Sequence, residues 1–450
     1  MEHLESALAE IDRASPWVLA AEVAAATTDL VAYLRDQGAE DLFIVSATEG
    51  AGDLPENVPV FYTRTSGPTI MSGLRAYLDT IADPSPELLA VIDDFDPDRR
   101  ARVIVPPFHT APTAAGRPVY GGRLQEWAAL EDKTVVGPIW DEAGIAAAQS
   151  AVVPVSEAPE VARSLAGPLG TVWAADNHQG WHGGADYTRR VPDEAAALAA
   201  VAWFSSRARR VRVMPFLEGL PCSIHGFVTA TDAAAFRPVE MVVFPHVSGF
   251  MYAGTSTFWD PPEAFREEMR AIALAVAKAL RDLVGYRGPF SVDGVATKRG
   301  FLPTELNPRL SAGLAIQAAG ADLALGSITR GYLAGDLDVD AAWLEEQVVT
   351  GADANRVGGL SLSRPLRLDP ERFHIAVSDG SVAEVTEDDA DATVDVGSAP
   401  QGSFIRVRFD QTKIAPGPSI LPSAAAVARF ADERWGLDLP DFEMPSDPFS

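Results

Sequence analysis

Residues 288–309 constrain this chain more tightly than any other stretch. They read Gly-Pro-Phe-Ser-Val-Asp-Gly-Val-Ala-Thr-Lys-Arg-Gly-Phe-Leu-Pro-Thr-Glu-Leu-Asn-Pro-Arg. Pro289–Val295 and Leu302–Leu306 are strand-like runs, and the turn over Lys298-Arg299-Gly300 makes them a hairpin. Side chains at i and i+2 of a strand share a face. Glu305 and Asn307 therefore point together, and the hairpin can bring Asp293 beside them. Two carboxylates and an amide oxygen are hard ligands suited to magnesium. Without a cation the two carboxylates would repel. The plainer alternative is a turn in which Asn307-Pro308 breaks the strand and the acids are solvated. That alternative is the usual fate of a lone acid, but it leaves the whole constellation without a reason.

At 450 residues the chain is long enough for two to four domains. Residues 1–125 alternate helix-like and strand-like segments, which implies an α/β layer with a mainly parallel sheet. Here Trp17 to Leu34 reads as helix, Leu42–Val45 and Val58–Thr63 as strands, and Met71–Ile81 as helix. Leu88–Ile92 and Val103–Val105 read as two further strands. The Pro/Gly-rich stretch from Pro106 to Gly122 is a connection. Residues 126–350 open with a helix carrying Trp127, Leu130 and Lys133. Strands follow at Thr171–Ala174, Arg210–Phe216 and Ser223–Val228. Phe265, Met269, Ile272, Val276, Leu280 and Leu283 recur at helical spacing over 261–284. Residues 356–450 turn to short strands and form a small α+β domain. In it a hairpin turns at Ser378-Asp379-Gly380-Ser381, a strand covers Phe404–Phe409, and Ser423 caps an Ala-rich helix.

Acidic residues outnumber basic ones 63 to 36, for a net charge of −27. Such a field disfavours nucleic acid and anionic membranes as partners. No apolar window reaches membrane-spanning length, and the start is acidic rather than a secretory signal. A cytoplasmic protein is the expectation, and a homodimer is compatible with it. Cys222 is the single cysteine, so neither an intrachain disulfide nor a cysteine-based zinc site can form. Cys222 and His225 read as packed strand residues, Trp173 and Trp181 as core or rim aromatics, and Ser311 as a helix cap.

Thr304-Glu305-Leu306-Asn307-Pro308-Arg309 resembles the acidic-x-Asn-Pro-Arg signature of ATP-grasp enzymes. The resemblance covers roughly 125–345, and the first 120 residues fit the domain that usually precedes that fold. It implies a preceding α/β domain, a two-lobed ATP-grasp domain and the small C-terminal domain. It also implies ATP and Mg2+ as cofactors, with the metal held by Asp293, Glu305 and Asn307, and Arg309 as the catalytic residue facing the phosphoryl group or intermediate. Lys133 matches the first phosphate- or adenine-contacting lysine. His182-Gly183-Gly184-Ala185 matches the Gly-rich loop that closes over phosphates. Met214-Pro215-Phe216-Leu217-Glu218-Gly219 matches the hinge on which adenine lies, with Glu218 in reach of the ribose.

Two positions depart from the pattern. The strand before the Gly-rich loop, Val172-Trp173-Ala174-Ala175-Asp176-Asn177, carries no lysine where the family usually has its second. Met214 stands where an acid often opens the hinge. Either His178, His182 or Arg189 substitutes, or ATP binds weakly. The implied activity is ADP-forming ligation of a small-molecule acid to an amino-acid or peptide amine through an acyl phosphate. A nucleotide-binding protein that has lost catalysis, and an ATP-grasp carboxylase or phosphotransferase, remain alternatives. The Asn177–Gly184 stretch, the length and the C-terminal domain more narrowly resemble peptide ligases of the pheganomycin-biosynthesis type. Those imply joining a guanidino-acid cap to a peptide amino terminus.

Overall fold

The computed structural model describes residues 2–378 and 380–449. Asp379, in the expected hairpin turn, lies outside the described residues. Three sheets carry the architecture. The first has four parallel strands in the order Val60–Tyr62, Leu42–Ser46, Trp17–Ala20, Arg102–Ile104. Helices cover both faces of it, as an all-parallel sheet requires.

Two segments of this region depart from expectation. Trp17–Ala20 is the central strand rather than the start of a helix, and helix begins only at Ala24. A strand buried on both faces reads as a continuous apolar run, and the alanines that follow it blurred the boundary. Leu88–Ile92 lies inside a helix, Pro86–Phe95, not in a strand. Short apolar runs are ambiguous by periodicity. The deciding signal was Ser85-Pro86: the Ser85 side chain accepts from the Leu88 amide, and proline occupies the first turn.

The second sheet is antiparallel, in the order Ala151–Pro154, Arg210–Pro215, Thr171–Ala175, Thr188–Val191. Ala158–Leu165 and Glu194–Phe204 pack on it around Trp173 and Phe204. The third sheet contains eleven strands among the described residues. Its path begins with the Gly300–Asn307 and Gly288–Thr297 hairpin. It runs through Leu220–Val228, Val239–His246 and Gly249–Ser256 into Gly358–Arg364 and Gly402–Phe409. The C-terminal strands thus extend the central sheet by hydrogen bonding. The Glu263–Val284 helix buries Phe265, Met269, Val276 and Leu280 against this sheet in the largest core.

Polar contacts set how these parts meet. Buried Asp395 draws in Arg372 at 2.6 Å, Arg408 at 3.2 Å and Arg406 at 3.3 Å, and Arg372 reaches on to Asp53 at 2.9 Å. The loop through Gly50 packs against Gly397, where a Cβ would collide with the Gly50 carbonyl. The C-terminal helix starts at Leu421 with Ile420 as its cap position, so Ser423 lies inside its first turn. Fully buried Glu240 takes the capping role instead, accepting from Ser419 and the Ile420 amide. The helix expected to carry Lys133 ends sooner than its pattern suggests. Gln125–Ala128 passes into a 3-10 turn at Ala129–Glu131, and Lys133 follows in a turn after extended Asp132. No helix among the described residues is long and apolar enough to cross a membrane.

Gly397→Ala should therefore loosen the first region from the C-terminal strands, at a cost of about 2–4 kcal/mol. Gly137, with open space where a Cβ would project, is the control: Gly137→Ala should change stability by less than about 0.5 kcal/mol. Thermal or urea unfolding of the two variants beside wild type checks the contrast.

Candidate active site

The hairpin aligns its polar residues on one face. Asp293 and Glu305 are directly opposed, and Asn307 opposes Ser291. Between Asp293 and Gly294 the register slips, because Gly294 pairs with Pro303 and leaves Thr304 as an extra residue. Gly294 suits the site, since a Cβ there would strike the Leu302 carbonyl. Such a bulge twists the strand and re-aims its side chains.

Hydrogen bonds fix the cluster. Asn307 Nδ2 donates to Asp293 Oδ2 at 2.8 Å, and Arg309 Nη2 donates to Asn307 Oδ1 at 3.0 Å. Arg309 Nε pairs with Glu131 Oε2 at 3.1 Å, while the other Glu131 oxygen holds Arg123. Lys133 Nζ meets Glu305 Oε2 at 2.7 Å, and Lys133 is only 5% exposed. Burial first, and then the facing Glu305, push the Asp293 carboxyl up to about 7, against the opposing pull of Arg309 and Lys133. The pair is short of positive charge. A cation between the carboxylates would relieve it, and the oxygen donor set fits magnesium. No three His, Cys, Asp or Glu side chains converge on a metal site among the described residues. Magnesium suits such a place, since it takes one or two carboxylates and completes its shell with water and substrate phosphates.

Opposite this floor stands the Gly-rich segment. His182 is buried and stacks on Tyr187 at 4.5 Å between ring centroids, with Nε2 at 3.3 Å from the Asp176 carbonyl. Burial, and then nearby Lys133, lower its pKa to about 4, so the imidazole is neutral at pH 7. Gly184 has φ of 57° and Ala185 of 67°, a left-handed turn at the tip. The segment rests on the first region. Trp181 stacks on Phe108 at 4.7 Å, its carbonyl accepts from Arg75 at 2.8 Å, and Asp186 accepts from Thr69 at 3.1 Å. Met71 sits where a side chain on Gly183 would project. Phe108 also carries the Arg309 guanidinium 4.2 Å from its ring centre, so one aromatic side chain touches both the loop and the hairpin arginine.

Met214, Phe216, Leu217 and Glu218 lie where the second sheet passes into the third. Met214 is buried opposite Val172, Phe216 stacks on Phe250 at 6.2 Å between centroids, and Glu218 is exposed. Gly219, at φ 152°, makes the crossing, packed against the Ala296 carbonyl.

The structure separates the three suggested lysine substitutes. His178 is exposed, and Arg189 lies over the Trp203 ring at 3.6 Å, bonded to the Asp186 and Thr188 carbonyls. His182 alone of the three stands near Lys133 and Glu305. Sequence reasoning missed four residues of this neighbourhood: Phe108, Glu131, Asp132 and Arg212. Arg212 could have been suspected, because an arginine inside the alternating run Arg210-Val-Arg-Val-Met214 must face something. Ser311 caps the helix after the hairpin, while Cys222 and His225 are packed in the core sheet.

Solved structures share this arrangement of sheets. The biotin carboxylase domain of Hydrogenobacter thermophilus 2-oxoglutarate carboxylase superposes with a TM-score of 0.55 at 11% identity, over 95% of this chain and 91% of that one. Carboxyaminoimidazole ribonucleotide synthase from Aspergillus clavatus gives 0.53 at 11% identity, over 94% and 99%. The chain has an ATP-grasp fold. Rhizobium etli pyruvate carboxylase, at a TM-score of 0.55 and 14% identity, contains the same fold over 94% of this chain, which spans 37% of that longer protein. No protein family and no curated protein matches this ATP-grasp chain by sequence.

The strained carboxylate pair yields a pH test. A carboxyl whose folded pKa is raised loses stability for the fold as pH climbs from about 4 to about 7. Asp293→Asn removes that burden. Without metal the variant should be more stable than wild type at pH 8, on the order of 1–3 kcal/mol, and the gap should close toward pH 4. Added magnesium should raise the wild-type melting temperature and leave the variant's unchanged. Melting curves across pH, with magnesium or with a chelator, check both statements.

Proposed function

We propose that the chain is an ATP-dependent, ADP-forming ligase that joins a carboxylate to an amine through an acyl phosphate. One observation carries the reading: the opposed Asp293 and Glu305, continued by Asn307 and Arg309, form an under-neutralised oxygen cluster between two lobes. An ATP-grasp fold gives such a cluster a use. The structures with this fold support it too, since one holds MgADP and bicarbonate and another holds ATP.

In this reading the nucleotide lies between the second and third sheets, with its adenine by Met214, Phe216 and Leu217. Asp293, Glu305 and Asn307 would hold magnesium. A magnesium ion at that place would supply positive charge against the phosphates. A carboxylate oxygen of the acid attacks the γ-phosphorus, the bond to the β-γ bridging oxygen breaks, and ADP leaves. Lys133, buried beside Glu305, supplies a positive charge to the phosphates. His182, neutral at pH 7, offers a hydrogen bond without adding charge. The amine nitrogen then attacks the acyl carbon, the bond from that carbon to the phosphate oxygen breaks, and the departing phosphate takes up the amine's proton. Arg309 is aimed by Glu131 and Phe108 and can stabilise the oxyanion of that step. The Trp181–Asp186 segment, docked on the first region, keeps water from the acyl phosphate.

The three parts divide this work. Residues 1–125 seat the loop, 126–350 hold nucleotide and metal, and 356–450 extend the sheet that carries the hairpin. The substrates we favour are an amino- or guanidino-acid and the amino terminus of a peptide or amino acid, in a cytoplasmic enzyme that can form a homodimer. A second reading rests on the fold comparison: bicarbonate as the acid, carboxylating an amine. No Met-Lys pair of the kind that accepts biotin occurs in the sequence.

ADP release with magnesium-ATP, measured against acids, bicarbonate and amines with mass spectrometry of products, tests the proposal. An amide from wild type supports the ligase, whereas product formed only with bicarbonate supports the second reading. Glu305→Ala and Arg309→Ala should each lower the rate by about 100-fold or more. Nucleotide binding without turnover in any combination would mean catalysis has been lost, and full activity in Glu305→Ala would remove the metal site.

A further inference from the structure

Arg212 is a buried cation with too few partners. It lies mid-strand in Arg210–Pro215, directly opposite Ala174 of Thr171–Ala175. Opposed residues of an antiparallel pair project to the same face, so its side chain stands between the Ala174 methyl group and Val152 of the strand on the other side. Arg212 is 5% exposed. Nη2 donates to the Thr304 carbonyl, on the edge strand of the third sheet. Nε is buried with no hydrogen-bond partner among the described residues. Glu305 and Asp132 attract the guanidinium from a distance, yet neither forms an ion pair with it. Asp132 is taken up by the Asn177 amide and by Thr134, and Glu305 by Lys133.

A guanidinium buried without an anion is costly, because desolvation is not offset by one carbonyl. Burial accordingly lowers its pKa, to about 10. What the position lacks is negative charge arriving from the cleft. A planar fork with a free N–H suits phosphate or carboxylate oxygens. Lys133 pairs with Glu305, which also attracts Arg212, so an anion chain passing over the carboxylate pair would have both cations near it.

We infer that Arg212 binds the phosphate chain of the nucleotide, supplying from its own strand the positive charge that the facing strand lacks at Ala174. The inference rests on the nucleotide-binding reading proposed above. It makes Arg212 a binding residue for the β- and γ-phosphates, and makes the Thr304 carbonyl the device that holds its guanidinium at the cleft. The competing role is a structural pin between the second and third sheets through Thr304.

Equilibrium binding of adenosine, ADP and ATP with magnesium separates the two roles. Arg212→Gln keeps a donor for the Thr304 carbonyl without the charge. It should weaken ADP and ATP by about 10- to 100-fold and leave adenosine within about two-fold. Ala174→Lys added to Arg212→Gln returns a cation from the facing strand and should recover most of the ATP affinity. Should Arg212→Gln fail to fold, Arg212→Lys carries the same comparison, with ATP weakened several-fold and adenosine unchanged. Unaltered ATP affinity in these variants, or equal loss for adenosine and ATP, would overturn the inference while the nucleotide reading stands. Absence of binding by wild type to any of the three would overturn that reading and this inference together.

Discussion

Two carboxylates facing each other across a hairpin are the constraint on which this site depends. Asp293 and Glu305 are cross-strand neighbours, the closest register a sheet offers. Like charges in that position destabilise a sheet unless something intervenes. The chain answers with Lys133 at Glu305, Asn307 donating to Asp293, and Arg309 fixed to Asn307. These contacts do not suffice, and the Asp293 carboxyl stays far above its usual range. The deficit is what makes the place receptive to a cation, and a cation is what would make it receptive to phosphate.

Around that deficit the other parts act as supports. Glu131 spends both oxygens on arginines, one of them Arg309, and so keeps that guanidinium from collapsing onto the acidic pair. Its own carboxyl is held below its ordinary range, because the pull of Arg309 and Arg123 exceeds the effect of burial. Phe108, from the first region, lies against Arg309 and against Trp181 of the Gly-rich segment. Loop position and arginine position therefore share one side chain. That is a physical reason for the first region to stay close, since Phe108 forms part of the wall.

Much of this was legible in the sequence, for local reasons. The hairpin followed from two apolar runs and a Lys-Arg-Gly turn, and the i, i+2 rule placed Glu305 with Asn307. The 263–284 helix announced itself by period. What escaped the sequence depended on partners far along the chain. Trp17–Ala20 is a strand only because Leu42–Ser46 and Arg102–Ile104 flank it. Glu240 replaces Ser423 as the helix cap from about 180 positions away. Arg212 sat in a strand read only as alternating, and the register with Ala174 and the bond to the Thr304 carbonyl show that it faces inward. Leu88–Ile92 is the exception, since Ser85-Pro86 was a local signal strong enough to read.

The most direct test of the account is an anomalous-scattering map from crystals grown with ADP and manganese as a stand-in for magnesium. The account predicts a manganese peak between Asp293 and Glu305, with the diphosphate running from it past Lys133 and Arg212. A nucleotide bound elsewhere, or a cleft holding ADP with no metal between those carboxylates, would contradict it.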